Sequence, residues 1–237
     1  MLVTYARQDD PRFLHRADPA FWHPAYDELW AACGWPRRPL GDFITHISYG
    51  PIITGRKPVA VTNGVALVNQ GQIGYAGVDL RDASRVAAGS PWDRPAARLQ
   101  PGDLVIARSG EGSVARNRLA VYVDDEPAVV GSFVDLVRLE GIEPVYVALF
   151  LKTRYGWAQI HRLVNGVATP NVSFAEIRSL EIALVPASYQ RRWRDQYYSE
   201  IYPCHCAGHP SAETRYRRLV LTVERFLSLT GRLRPDS

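Results

Sequence analysis

Five clusters of planar, hydrogen-bonding side chains stand out: Arg56-Lys57, Asn69-Gln70-Gly71-Gln72, Arg108-Ser109, Arg116-Asn117-Arg118, and the stretch from Asn165 through Thr169 to Asn171. Asn and Gln amides can pair bidentately with adenine, and Arg with guanine, along the major-groove edges of base pairs. Loops that carry such groups on a rigid sheet suit base reading, while neighbouring arginines hold phosphates. The same Asn and Gly residues fill turns for backbone reasons alone. Lys57, Asn69, Gln70, Gln72, Arg108, Ser109, Arg116, Asn117, Arg118, Asn165, Thr169 and Asn171 are therefore the candidate DNA contacts, and their placement decides between the two roles.

Covalent chemistry finds little support. With Lys57 and Lys152 the only lysines, no Gly-x-x-x-x-Gly-Lys-Ser/Thr loop exists. There is no Gly-x-Ser-x-Gly elbow and no His-Glu-x-x-His pair. The Glu-x-Lys element of common nuclease metal sites and the Asn/Asp-Pro-Pro-Tyr/Phe signature of amino-methyltransferases are also absent. Ser109-Gly110-Glu111-Gly112-Ser113 is glycine-rich but leads toward arginines and a second strand, not into a helix that would receive a phosphate. Cys204, His205, Cys206 and His209 form a dense set of potential zinc ligands, yet Cys-x-Cys is tighter than the usual thiolate spacing and no second pair follows. They read as a loop joining two helices, and Cys33 as a buried small apolar group. The expectation is a non-catalytic chain with no cofactor and no metal.

The elements that must carry these groups are short. Pro24 to Cys33 reads as a helix with Pro in its first turn and Gly34 to end it. Runs at 43–47, 65–68, 103–107 and 119–123 read as strands separated by Gly, Pro, Asn and Asp, with one longer strand over 129–139 buried on both faces. Pro144 to Leu163 reads as a single helix stopped by Asn165-Gly166, Ser173-Phe-Ala-Glu176 as a capping box, and 180–185 as a strand ended by Pro186. Beyond it, Tyr189, Trp193 and Tyr197 recur every four residues. After a break at Pro203–Pro210, Tyr216, Leu219, Val223 and Phe226 follow with the three-and-four spacing of a coiled-coil seam. These aromatic and aliphatic residues are the candidate partner-binding surface; packing of two amphipathic helices on each other or on the body is the other reading. The fold class expected is mixed α/β (α+β), an irregular sheet with packed helices over 1–188 followed by a helical segment over 189–237.

With 237 residues, 46% hydrophobic and 22% charged, the chain can bury a core. No apolar run approaches the ~18 residues that span a bilayer. Charges also stand where a signal peptide needs its apolar stretch, so the expected location is cytoplasmic. Three cysteines, an odd number, argue against a disulfide framework. Of the 28 basic residues 26 are arginine, a skew that coding bias would produce, so position matters more than the total. Residues 48–123 and 189–237 each carry 9 basic and 5 acidic side chains, which marks two electropositive stretches of the kind a nucleic-acid binder uses.

Several runs together carry a family likeness: 99–114, 120–123, 130–133, 145–156 and 166–186, with Ala17–Tyr26 and Leu40-Gly-Asp-Phe43 upstream. The chain over roughly 17–200 resembles a target recognition domain of type I restriction–modification specificity subunits, in particular single-domain or methyltransferase-associated forms. The resemblance implies a mixed α/β globule that reads one half of a bipartite double-stranded DNA site, beside helices that form a spacer binding methyltransferase subunits. It implies no catalytic residues in this chain, and a partner that carries methyltransferase or nuclease activity in a restriction–modification or related phage-defence system. A complete subunit has two such domains and this chain has room for one, so a homodimer reading a symmetric gapped site and pairing with another chain both stay open. On the motifs themselves, Gly102, Asp103, Arg108, Ser109 and Gly110 match the strand-and-loop element, and Gly166, Pro170 and Ser173 the turn before the capped helix. The alternative is an adaptor of the same fold that binds a protein in a defence complex, with DNA incidental; sharp sequence preference separates the two, because basic surfaces bind any duplex at low salt.

Overall fold

In the central sheet, strict alternation sorts the side chains to two sides. Four antiparallel strands lie in the order β2 (Ile44–Tyr49), β8 (Val134–Leu139), β5 (Leu104–Ala107), β6 (Leu119–Val121). Leu104, Ile106, Leu119, Val121 and Val137 enter one core, while Val105, Ala107, Ala120, Tyr122, Val134 and Leu136 enter another. A strand presents alternate residues to opposite faces, so the middle strands read as unbroken apolar runs. The computed structural model describes residues 23–109, 116–164 and 171–230.

The second core is closed by β4 (Arg85–Val86), β3 (Val65–Val68) and β7 (Ala128–Val130), in which β3 and β7 run parallel. The first core is built around α2 (Pro144–Lys152), whose residues from Val145 to Lys152 are all buried. Pro144 opens α2 and Glu143 caps it by accepting from the Val145 amide. Helix α1 (Pro24–Ala31) lies at the edge; β1 (Arg37–Pro39) pairs with β9 (Glu181–Ala183), which follows α4 (Phe174–Ser179). The capping box before α4 is present in both directions, Ser173 Oγ accepting from the Glu176 amide and the Glu176 carboxylate from the Ser173 amide. The result is the mixed α+β class with irregular sheets, packed helices and a helical C-terminal part.

Three expected elements are corrected. The strand expected over 129–139 is two strands in different sheets, because the chain turns at Gly131-Ser132-Phe133, where the Val134 amide donates to Gly131 O. Gly131 lies so close to Asn69 that a Cβ there would stand 2.2 Å from Asn69 Oδ1, and Phe133, expected in the core, is 60% exposed. The helix expected over 144–163 breaks at Thr153, which is extended (ψ 164), into α2 and α3 (Arg154–Val164). A Cβ at Gly156 would meet Leu151 Cα and Phe150 O at 2.4 Å, so glycine permits the two helices to touch at the corner.

The third correction concerns the C-terminal part. Helix α5 (Ala187–Gln196) continues through a π-helical turn (Tyr197–Ile201) into α6 (Tyr202–Cys206), so Cys204, His205 and Cys206 are helical and the turn comes only at 207–210, with Gly208 at φ +65. Pro203, inside this continuous run, follows the π turn, where the Tyr202 amide bonds back to Tyr197 O and the wider turn accommodates a residue with no N–H to donate. His205 Nε2 lies 2.8 Å from Val78 O, and His209 Nδ1 lies 2.8 Å from Ser211 Oγ. The final helix, α7 (Ser211–Thr230), turns its seam inward. Trp193, Tyr197, Tyr216, Leu219 and Val223, expected to meet a partner, belong to the same core as α2. Trp193 stacks on Tyr146 at 5.6 Å and Tyr197 donates to Ala76 O at 2.9 Å. Tyr189 (37% exposed) and the half-buried Phe226 remain at the surface, packed on each other at 4.3 Å. Among the described residues no helix is long and apolar enough to cross a membrane.

Candidate nucleic-acid interface

At one end of the central sheet five separate segments of the chain are laced together through main-chain acceptors. Strand β5 delivers Arg108 and Ser109 as it leaves the sheet. The Arg108 amide donates to Phe133 O at 2.9 Å and the Val172 amide to Arg108 O at 3.2 Å. Ser109 and Asn171 form an isolated antiparallel bridge. Gln70 reaches across from the loop after β3: its Nε2 donates to Ser109 O at 2.5 Å and to Phe133 O at 3.2 Å. In return Arg118 donates to Gln70 O at 3.2 Å. The residues brought together are Gln70, Arg108, Ser109, Arg118, Phe133 and Asn171.

Arg108 is the cationic centre. Its guanidinium lies over the Tyr49 ring at 4.3 Å and 6.0 Å from Phe174, an arrangement that holds an arginine flat against aromatic faces. Beneath it Asp135 is fully buried in β8, and among the described residues neither of its oxygens has a hydrogen-bond partner; Arg108 Nε stands 3.9 Å away. Burial pushes the Asp135 carboxyl up to about 7, with the Arg108 charge pulling the other way. Tyr49, Phe133, Phe174 and Asp135 were not among the candidates. A lone carboxylate inside the apolar run Phe133-Val-Asp-Leu-Val137 was the available signal for Asp135.

Other candidates go elsewhere. Asn69 and Gln72 close a capping box on the 3₁₀ turn Gln70–Gln72, with Gln72 Oε1 accepting from the Asn69 amide at 3.1 Å, so both side chains shape the loop, Asn69 from an exposed position. Asn117 takes a left-handed conformation (φ 48), donates Nδ2 to Leu151 O at 3.1 Å and accepts from Lys152 Nζ at its carbonyl, so it joins the sheet to α2. Lys57 and Arg116 are exposed, Lys57 in the segment between β2 and β3. Asn165 and Thr169, with Gly110, Gly166 and Pro170 of the motif runs, lie outside the described residues. Gly102 and Asp103 serve the frame: Gly102 is at φ +97, and the buried Asp103 accepts from the Gln100 amide and, at 2.8 Å, from both Nε and an NH2 of Arg138.

The fold and this loop cluster define a mixed α+β domain that presents arginine, amide and aromatic groups from several loops on one rigid sheet end. Three solved structures are similar to it. One comes from a study of complex assembly and conformational transition of the type I restriction–modification system (13% identity, 88% of this chain, 52% of that chain, TM-score 0.49). Another is the HsdS subunit from Thermoanaerobacter tengcongensis (15%, 87%, 50%, 0.45), and a third the type I restriction–modification S subunit from M. genitalium (13%, 90%, 50%, 0.48). The chain spans about half the length of each. No family model matches the sequence, and no curated protein matches it.

Proposed function

We propose that the chain is a sequence-specific double-stranded DNA recognition subunit of a restriction–modification or related phage-defence system. It directs a methyltransferase or nuclease carried by a partner, and has no catalytic role of its own. The observation that carries this reading is the convergence of Gln70, Arg108, Ser109, Arg118 and Asn171 at one sheet end, fixed by hydrogen bonds to main-chain oxygens. Arg108, Ser109 and Asn171 fall on runs whose sequence resembles the recognition domains, while Gln70 and Arg118 lie outside those runs. The cluster sets the Asn171 amide, suited to base edges, beside two guanidinium groups, Arg108 and Arg118, suited to base edges or phosphates. The adaptor reading loses part of its support, since Trp193 and Tyr197, two of the four aromatics that would form its protein-binding face, are inside the core. Tyr189, Phe226 and the outer faces of α5 and α7 are what a methyltransferase subunit or a second copy of the chain would meet.

The test is selection of duplexes from a randomised pool by the purified chain at about 150 mM salt, where counterion-driven non-specific binding is weak. Enrichment of one short motif is expected, and a gapped inverted repeat of it would indicate a dimer. A folded chain that enriches nothing overturns the reading for the isolated protein.

A further inference from the structure

A second basic site lies on the other side of Arg118. The loop around Tyr75, the 116–118 turn, the end of α2, the start of α3 and the first turns of α7 line an open cavity of about 560 Å3. Its cationic lining is Arg116, Arg118, Lys152 and Arg217; the one carboxylate among the described lining residues, Glu213, is already paired with Arg217 at 2.6 Å. Lys152 is unusual among them, being only 7% exposed. Its Nζ donates to Asn117 O at 3.1 Å and otherwise faces aromatic rings, Tyr75 at 4.3 Å and Tyr216 at 5.9 Å. Arg217 covers Tyr75 at 4.1 Å. Also in the lining, the Asn117 side-chain oxygen is buried with no hydrogen-bond partner among the described residues. A buried cation with one formal acceptor and a buried acceptor with no donor are costly unless a ligand completes them.

We propose that this cavity binds a small nucleotide, its phosphate held by Lys152, Arg116 and Arg118 and its base against Trp157. The size falls within the ~300–1,000 Å3 of small-molecule sites. Arginine forks and a lysine point charge are the groups that hold phosphate. The half-buried Trp157 supplies an aromatic face for any base, and the orphan Asn117 oxygen an acceptor for a ribose hydroxyl or base amine. A duplex backbone is convex and cannot bring a phosphate to an ammonium as enclosed as Lys152, so the ligand is a free nucleotide. Burial and the Arg217 charge bring Lys152 down to about 7, and an anion beside it would restore its proton. The inference goes beyond DNA reading and does not depend on it.

Calorimetric titration of the full chain with the ribonucleoside 5′-monophosphates tests it, with inorganic phosphate, the unphosphorylated nucleosides and a DNA duplex as comparisons. Saturable binding of at least one monophosphate is expected, with no binding of its nucleoside. It should weaken at least tenfold in Lys152→Met and in Arg116→Gln. Lys152 is a core residue, whereas Arg116 is exposed, so Arg116→Gln keeps the test open if Lys152→Met does not fold. The proposal fails if the folded wild type binds no monophosphate, or if both variants bind as well as wild type. Failure here leaves duplex selection unaffected.

Discussion

Replacing Asp135 with Asn should change how stability depends on pH, and by an amount that can be worked out. The carboxyl is fully buried and unbonded, and it is held near 7 in the fold against 3.8 in an exposed carboxyl. A carboxyl raised by folding keeps its proton in the native state while the unfolded chain has already lost it. Stability therefore falls as pH rises through the window from about 4 to about 7, and the cost is constant above it. At 1.36 kcal/mol per pKa unit, the cost from this residue is ~1.5 kcal/mol at pH 5 and ~4 kcal/mol at pH 8, a difference of roughly 2 to 3 kcal/mol. Whatever Asn costs as a buried amide is the same at both pH values and drops out of the comparison. Urea unfolding of wild type and Asp135→Asn at pH 5 and pH 8 should thus show the variant gaining by that amount at the higher pH. An equal gap at both values would mean that the Asp135 oxygens are satisfied or that Arg108 balances the charge in full, and the picture of an arginine poised over an unpaired carboxylate would be wrong.

Lys152 should show the opposite slope: its folded value near 7 lies below the 10.5 of a free lysine, so the cost of charging it is constant below pH 7 and is relieved as pH rises toward 10.5. Lys152→Met, if folded, should accordingly be favoured over wild type at pH 7, with an advantage that shrinks by roughly 3 kcal/mol by pH 10 in chemical denaturation. Gln70→Ala removes two hydrogen bonds that tie Ser109 and Phe133 together; a loss of about 1–3 kcal/mol in stability and a broadened motif in duplex selection are expected. Ser173→Ala should cost about 0.5–2 kcal/mol in thermal or urea unfolding through loss of the cap, with the salt dependence of DNA binding unchanged. Asn171→Ala, at an exposed position, should leave stability within error while relaxing preference at one base pair by about 1–3 kcal/mol in competition binding.

What the sequence made legible is what depends on near neighbours. The Ser173–Glu176 cap, the proline-led starts of α1 and α2, and β2, β3, β5 and β6 all follow from spacing of a few residues. The misread elements depend on how backbone segments pack, which periodicity does not report. At the Thr153 corner Gly156 rests on Leu151 of the preceding helix, and at the Gly131 turn Asn69 closes in from the end of β3, the strand paired with β7. The seam of α7 was correctly periodic, but periodicity states only that a face is buried; that it is buried on this chain's own α2 and not on a partner is settled by the α2 core. Within the site, Asn69, Gln72 and Asn117 are the same residue types as Gln70 and Asn171, and only the fold assigns the first three to loop shape or to bracing α2.

That division has a consequence for how such a surface can change. The contacts that fix the cluster end on backbone oxygens, those of Gln70, Arg108, Ser109 and Phe133, which any residue supplies. The donors are more particular: Gln70, Arg118 and two main-chain amides hold the frame, and Gly131 and Asn69 must fit each other. Side chains that project from this frame, Phe133 and Asn171 among the described residues, can therefore be exchanged without loosening it. Under the proposed function, a reader built this way acquires a new target at its exposed positions while Gln70 and Asp103 stay fixed. Exchange of Phe133 and Asn171 together should then alter the selected motif far more than the unfolding midpoint, whereas a change at Gln70 should move both.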